Sequence, residues 1–520
     1  MGNNRPFNAL IKQKTRLLPT EQPGRSVWES LASEAYSAGH AIKMGSWLYT
    51  DKNTDNVYLN LNSPSNGIIK ISSKGIEVIQ NGLNDDDILL QSSHKMETFI
   101  YDHDAQINTG ISELRKLLFD NLSCKQDSKF LLLCWMISCF ISDFSPHVSP
   151  LLKAEGETGS GKTTAARLIE HLLYGSEHLG EISVAGAYAE ASTNPLLVID
   201  NLENQDIKND VMKFLLLVAT RGRKIKRKGG TESEVTEESP KSLVMITAIE
   251  PFIKSELINR TLVVQFSKHL YNSTFIDDEA TRHILRRRNL ILSAILKLIQ
   301  SEIIPNLEQR TAYISVLNMQ FKGHSKDRLN SYLALMMLIL EKLLRHWDGT
   351  ALKAQDIWAS WIRTQNEMAQ DHEIQSNSIL QLLDGLIRAY RLEIDRGECA
   401  ATPKVCEDGS TAHQYTHHEY GIPVIVYPPK QIPEDPEMMA TVMEFEAKGS
   451  DLSYAFTRFC KNQGMSNPYP TASIFSARLK NEKAVLQKAG WELVTKDNEA
   501  MYFKTVRGQH VFKFRHTFIR

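Results

Sequence analysis

The spacing of apolar and polar positions changes several times along the chain, and each change marks a different kind of element. From Trp47 the period is two: "SWLYTDKNTDNVYLNLN" sets aromatic and branched residues on either side of an Asn/Asp turn, and "GIIKISSKGIEVI" repeats the arrangement around Ser73, Lys74 and Gly75. Such alternation predicts β-hairpins and a small β-rich N-terminal domain over 26–110, behind a polar arm over 1–25. Residues 111–145 read as helices. They include "FLLLCWMISCFI", Phe130 to Ile141, which is far short of the roughly 20 residues a bilayer crossing needs and so predicts a buried helix.

Between 146 and 268 the apolar runs become short and continuous. "PLLKAE", "PLLVID" and "SLVMITAIEP" are rich in branched residues and bounded by polar turns, as strands buried on both faces are. Helical segments separate them, which predicts the α/β class with a doubly wound parallel core. "RHILRRRNLILSAILKLIQSEII" and "DRLNSYLALMMLILEKLLRHW" are amphipathic at helical spacing and predict a helical lid over 269–375. Periodicity is then lost where Pro, Gly, His and Asp gather, so 376–440 reads as a linker. From 441 to 520 a helix at Leu452–Asn462, a break at "NPYP", a second helix and a hairpin give the order of a winged-helix-like domain.

With 42% hydrophobic and 23% charged residues, the 520-residue chain has the composition of a soluble protein with more than one core. "MGNNRPFNAL" has no apolar signal core, and Pro6 stands where myristoylation wants Ser or Thr, so the expected address is cytoplasmic, with no membrane partner. Six cysteines are scattered, as a reducing compartment allows. Cys399, Cys406, His413, His417 and His418 fall within reach of one zinc ion, but without the tight cysteine spacing of a zinc knuckle; a solvated polar loop is the other reading.

"GETGSGKT", Gly156 to Thr163, fills the eight-position phosphate-loop pattern after a strand-compatible run and before a helical one. Gly156, Gly159 and Gly161 leave room for backbone N–H groups to turn inward around a phosphate, with Glu157, Thr158, Ser160 and Thr164 completing the cradle. Lys162 is placed to reach the β- and γ-phosphates of ATP, and Thr163 to hold Mg²⁺. Asp200, closing "PLLVID", is the second acidic element and the second candidate ligand for Mg²⁺. Asn201 follows it and cannot take a proton, so Glu203 is the candidate base, beside the plainer reading of a solvated loop glutamate. Thr247 can orient a water, and Arg260 can reach a neighbouring subunit's ATP or simply form a surface ion pair.

Charge concentrates in one place. The chain carries 60 Lys+Arg against 61 Asp+Glu, yet six of the eight residues in "RGRKIKRK" (221–228) are basic, and the acidic "TESEVTEE" follows Gly229 and Gly230. Alternation of Lys224, Lys226 and Lys228 with Ile225 and Arg227, then a Gly-Gly turn, predicts a β-hairpin.

"GETGSGKTT", "VIDN", "ITAIEP" and "NR" before an apolar strand together resemble the AAA+ helicases of superfamily 3 and their MCM-like relatives, which replicate phages, plasmids and mobile genomic islands. The likeness covers roughly 146–268. It departs from the family at Asn201, and at Thr247, where the family often has Asn. The resemblance implies a hexameric ring of identical copies, with the hairpin of Arg223, Lys224, Lys226, Arg227 and Lys228 projecting into a channel that holds single-stranded DNA; an exposed charged loop is the alternative. Arg478, Lys480, Lys483 and Lys488 on the second C-terminal helix, and Lys496, Lys504, Arg507, Lys513 and Arg515 on the wing, suggest duplex contact, although winged helices also bind proteins. Two functions follow as expectations: an ATP-driven DNA helicase, or an ATP-switched DNA-binding or defence scaffold that hardly hydrolyses.

Overall fold

The computed structural model describes residues 12–18, 21–38, 41–93, 95–145, 147–180, 183–227, 235–320, 327–347, 352–377, 379–385, 387, 401–405, 411–416, 422–432, 435–462, 467, 469, 471–481, 483–494, 504–506 and 509–519. After helix α1 (Gln22–Ala38), strands β1 (Lys43–Gly45) and β6 (Ile88–Leu90) pair in parallel and flank an antiparallel meander. The meander runs β2 (Leu48–Asp51), β3 (Asn56–Asn60), β4 (Gly67–Ser72) and β5 (Gly75–Gln80). Asp51 closes the first turn by accepting the Asn53 N–H at 3.0 Å. Ser72 pairs with Gly75, so Ser73 and Lys74 form a two-residue turn where the alternation placed it. Both faces of the meander are buried: Val57, Leu59, Ile69 and Ile71 join the main core, while Tyr58 and Ile68 pack with Ile88 and Leu90.

Helices α2 (Ile107–Leu117) and α3 (Gln126–Ile137) lead into the central sheet, and α3 is buried on nearly every side, as its unbroken apolar run requires. The sheet contains β7 (Leu151–Glu155), then α4 (Lys162–Tyr174), α5 (Val184–Thr193), β8 (Leu196–Ile199) and α6 (Asn209–Ala219). A two-stranded excursion, β9 (Lys224–Arg227) and β10 (Val235–Glu238), precedes β11 (Leu243–Ala248), α7 (Ser255–Ile258) and β12 (Thr261–Gln265). The order is β12-β7-β11-β8, all parallel. Leu152, Ala154, Leu243 and Met245 pack on the α4 side; Leu151, Val244 and Ile246 pack on the α5–α7 side. Two buried faces explain why these strands read as continuous apolar runs.

Helices α8 (Asp277–Leu298), α9 (Gln309–Gln320), α10 (Asn330–Leu344) and α11 (Ala354–Ser376) follow. Apolar residues of α8, α10 and α11 share one cluster with the meander, α2–α4 and the sheet, so the segments from Trp47 to Trp361 close on a common core.

The linker reading of 376–440 is corrected by the structure. Residues 379–385 are helical. Strands β13 (Thr402–Val405), β14 (Thr411–Thr416), β15 (Pro423–Val426) and β16 (Lys430–Ile432) join β17 (Asp435–Lys448), β18 (Trp491–Val494), β19 (Lys504–Val506) and β20 (Gln509–Ile519) in an eight-stranded antiparallel sheet. Short strands with exposed positions, separated by sequence rich in Pro, Gly and Asp, leave little periodic signal. Helices α12 (Gly449–Asn462), α13 (Ala472–Asn481) and α14 (Lys483–Lys488) precede β18, so the stretch expected as one second helix forms two. The hairpin is not a free wing, because β20 continues along β17 inside the larger sheet. Phe445, Trp491 and Phe514 centre this second core, and the Trp491 indole N–H reaches Asp384 at 3.0 Å, tying residues 379–385 to it.

Among the described residues no single helix is long and apolar enough to cross a membrane, and no three metal-capable side chains gather. Cys399, Cys406, His417 and His418 lie outside the described residues, so of the zinc reading only His413 is seen, exposed on β14.

Candidate functional site

Three strands end at one place. The loop 156–161 leaves the carboxyl end of β7, Asp200 follows β8, and Thr247 lies at the end of β11. Only glycine fits the loop's two tight points. Gly156 has φ +151°, and a Cβ there would run into the Phe266 carbonyl oxygen; Gly161 has φ +91°, and its Cβ would stand 2.6 Å from Ser123 Oγ. The Ser123 hydroxyl donates to the Ser160 carbonyl and holds the loop from the α3 side. Helix α4 starts at Lys162 with Gly161 as N-cap and no side-chain cap, so its first N–H groups face the loop.

Lys162 is buried and its ammonium donates to the carbonyls of Gly156 at 2.7 Å and Glu157 at 2.9 Å. Burial lowers its pKa, against the opposing pull of Glu203, Asp200 and Glu157. Glu157 is exposed: it accepts the Lys268 N–H at 3.2 Å, and its carboxylate stands 3.8 Å from that residue's ammonium. Thr158 and Gly159 are exposed at the loop crest, and Thr164 is half-buried in the first turn.

Asp200 Oδ1 accepts hydroxyl protons from Thr163 at 3.0 Å and Thr247 at 2.5 Å. Thr247 Oγ1 in turn accepts the Asn201 N–H at 2.8 Å. Asn201 has φ +56°, a left-handed conformation that Asn tolerates better than most residues. Glu203 is half-buried and accepts the Ile249 N–H at 2.7 Å and the Glu250 N–H at 3.3 Å, which binds it to the segment after β11.

Arg260 lies elsewhere. It precedes β12, and in a parallel sheet the amino ends of the strands are opposite the edge that carries the loop. Its guanidinium donates to the Glu256 carbonyl at 2.8 Å. Burial lowers its pKa, and the like charge of Arg328 lowers it further.

The basic stretch forms the expected hairpin, with Lys224 opposite Glu238 and Lys226 opposite Thr236. Both legs are anchored by a residue that the sequence did not single out. Asp143 pairs with Arg221 at 2.8 Å before β9 and with Lys241 at 3.3 Å after β10. The Lys224 ammonium is 3.3 Å from the Tyr188 ring centroid, so one of the expected free cations packs on α5. Arg223 and Ile225 are exposed. Lys226 and Arg227 are placed by backbone alone, and Lys228 and the Gly229–Gly230 turn lie outside the described residues.

In the C-terminal domain Arg478 is exposed on α13, which also carries Lys480. Lys513 and Arg515 instead flank the buried Glu444 at 2.9 and 2.6 Å, and Arg515 also meets Glu492 at 3.0 Å. Those two strand cations are neutralised inside the sheet. Lys496 and Arg507 lie outside the described residues.

No protein-family model matches the chain, and no curated protein matches it. Its fold is similar to a solved structure described as "SCCmec type IV Cch - active helicase", at 12% identity and TM-score 0.51, over 94% of this chain and 82% of that one. A second, described as "The A form apo structure of NrS-1 C terminal region-CTR", aligns at 10% identity over 74% of this chain and 97% of that chain, with TM-score 0.29. The first likeness establishes a helicase-like mixed α/β fold.

Proposed function

We propose that the chain is an ATP-dependent DNA helicase or translocase of a mobile genetic element, working as a ring of identical copies, most simply six. The observation that carries the reading is the convergence of Lys162, Thr163, Asp200 and Thr247 at the carboxyl edge of one parallel sheet, under a glycine loop that opens a helix. In such a site the loop N–H groups hold phosphates, and Lys162 exchanges two neutral carbonyl acceptors for charged phosphate oxygens, a stronger class of bond. Thr163 and Asp200 offer hard oxygens 3.0 Å apart, which suits Mg²⁺. When bound, Mg²⁺ neutralises charge on the phosphates.

Glu203, bonded to the N–H groups just beyond the end of β11, is the carboxylate available to take a proton from an attacking water. Arg260 sits at the wrong edge of the sheet to serve its own loop. Its use as a transition-state cation therefore requires a neighbouring copy. The hairpin, held at both legs by Asp143, supplies cations to phosphates without reading bases, and Arg478 with Lys480 supplies a second, duplex-facing contact. The fold shared with a structure described as an active helicase agrees with this reading.

One observation favours a second reading, an ATP-switched DNA-binding or defence scaffold. The position after Asp200 holds Asn201, which cannot accept a proton. Steady-state ATP turnover with and without single-stranded DNA decides between them. A motor shows DNA-stimulated turnover and strand displacement; intact ATP binding without stimulated turnover leaves the scaffold.

A further inference from the structure

Lys153 is a charged residue that the site described above does not use. It lies in the middle of β7, 1% exposed, on the same face as Leu151 by strand alternation. A lone ammonium in that position is strongly unfavourable, so its partners have to compensate. They are the Glu250 carbonyl, to which it donates, the Glu155 carboxylate at 3.3 Å, and the Phe252 ring, whose centroid is 3.8 Å away. Two of the three belong to the segment that follows β11.

That same segment holds Glu203. The N–H groups of Ile249 and Glu250 donate to the two oxygens of its carboxylate. Asn204 reinforces the joint by donating to the Pro251 carbonyl at 2.8 Å and accepting the Ile253 N–H at 3.3 Å. Residues 249–253 are thus gripped from the sheet by Lys153 and grip Glu203 on the other side.

We infer that Lys153 is a positioning residue for Glu203, acting through the 249–252 segment: its ammonium fixes the Glu250 peptide and the Phe252 ring, and so aims the two N–H groups that orient the carboxylate. The functional meaning rests on the ATPase reading above, whereas the brace itself does not. Removal of the ammonium alone would strand Glu155 in the interior, so the paired variant Lys153→Met with Glu155→Gln is the appropriate probe, and Glu155→Gln alone is its control.

Hydrogen exchange of the full chain reads the brace without any turnover. In the paired variant the Ile249 and Glu250 amides exchange at least tenfold faster, while Met245 to Thr247 on β11 keep their protection; Lys153→Arg, which retains charge and donors, restores the slow exchange. Unchanged amides at 249 and 250, or a loss spread evenly along β11, overturns the inference. If the paired variant does not fold, Phe252→Leu asks the same question with the charges left in place. In ATP turnover the paired variant lowers kcat at least tenfold with nucleotide affinity unchanged, and combination with Glu203→Gln brings no further loss. Losses that multiply show that Lys153 acts on something other than Glu203. A wild-type protein with protected amides and no turnover removes the ATPase reading and leaves the brace intact.

Discussion

Thr163, in the first turn of α4, donates its hydroxyl to Asp200 at the end of β8 across 3.0 Å, and so joins the helix that follows the glycine loop to the neighbouring acidic strand end. Thr247 donates to the same oxygen from β11, so a single carboxylate gathers two strands of the sheet and the helix α4. Asp200→Asn keeps the volume and the acceptor but loses the charge. Its expected effect is a fall in Mg-ATP turnover of about 100-fold or more, since metal and phosphate charge are no longer balanced. Nucleotide affinity measured in EDTA changes little, while the gain in affinity on adding Mg²⁺ disappears. An Asp200→Asn protein that still responds to Mg²⁺ would remove Asp200 from the metal site.

Thr247 is buried and does two jobs with one hydroxyl, donating to Asp200 and accepting from Asn201. Thr247→Val keeps the shape and removes both bonds. The Asn201 N–H and an Asp200 lone pair then lose their partner, at a cost of about 1–3 kcal/mol. Turnover is expected to drop at least tenfold with ATP affinity within about threefold of wild type, because the hydroxyl orients groups rather than holding the nucleotide. Thr247→Ser retains the hydroxyl and most of the activity. Equal losses in Thr247→Ser and Thr247→Val would mean that the methyl group, not the hydroxyl, matters there.

Much of this site is legible in the sequence because its chemistry is local. The glycine spacing of 156–161 encodes backbone freedom directly, and Asp200 ends an apolar run short enough to be a strand. Glu203 stands out only by elimination after Asn201, and its bonds to Ile249 and Glu250 are invisible in the sequence because they cross from one strand end to another. Asp143 and Tyr188 escape notice for the same reason. Nothing in "ISDFS" announces that Asp143 anchors both legs of a hairpin that begins some 80 positions later. In 402–432 the failure is one of period: β13 is exposed along its whole length, so no alternation marks it, and only its pairing with β14 makes it a strand.

The two lysines of β9 are not equivalent. Lys224 stacks on Tyr188, so Lys224→Ala mainly loosens the hairpin against α5, at a cost of about 0.5–2 kcal/mol, the range of a cation–π contact. Lys226 has Thr236 opposite it and no carboxylate in its cross-strand position. Lys226→Ala is expected to weaken single-stranded DNA binding evenly across sequences and to lower the slope of log affinity against log salt by about 0.7 for each phosphate no longer neutralised. Titrations of labelled oligonucleotide at several salt concentrations check both. A larger drop in slope for Lys224→Ala than for Lys226→Ala would place the phosphate-binding role on the wrong lysine.

Glu444 is buried on β17. Burial alone would raise its pKa, but bonds from Lys513, Tyr427 and Arg515 hold it below the usual carboxylate range. A folded-state pKa below the unfolded one adds stability that is present at neutral pH and is lost as pH falls through the folded value. Glu444→Gln therefore destabilises the C-terminal sheet at pH 7, and the gap to wild type narrows in acid. Arg515→Ala is expected to lower stability without changing duplex DNA affinity, whereas Arg478→Ala lowers duplex DNA affinity. A duplex affinity that depends on Arg515 would put the nucleic acid on the sheet rather than on α13.

Glu170, on α4, has the opposite sign. It is 2% exposed, and burial pushes its pKa up to about 7, although the His178 N–H at 2.8 Å and the charge of Lys95 act in the other direction. The other charged groups acting on it are Glu177, which raises the value, and Arg167, which lowers it. Between the ordinary carboxylate value and about 7 the unfolded chain has released this proton while the folded protein still holds it, so stability falls as pH rises through that window and levels off above it. The full effect is roughly 3 kcal/mol at about 1.4 kcal/mol per pH unit. Glu170→Gln keeps an acceptor for His178 and removes the titration. Thermal melts of the two proteins should nearly coincide at about pH 4, below the window, and separate by a few degrees in favour of Glu170→Gln at pH 8. Melting curves that run parallel at every pH would show that Glu170 titrates alike in the folded and unfolded chain.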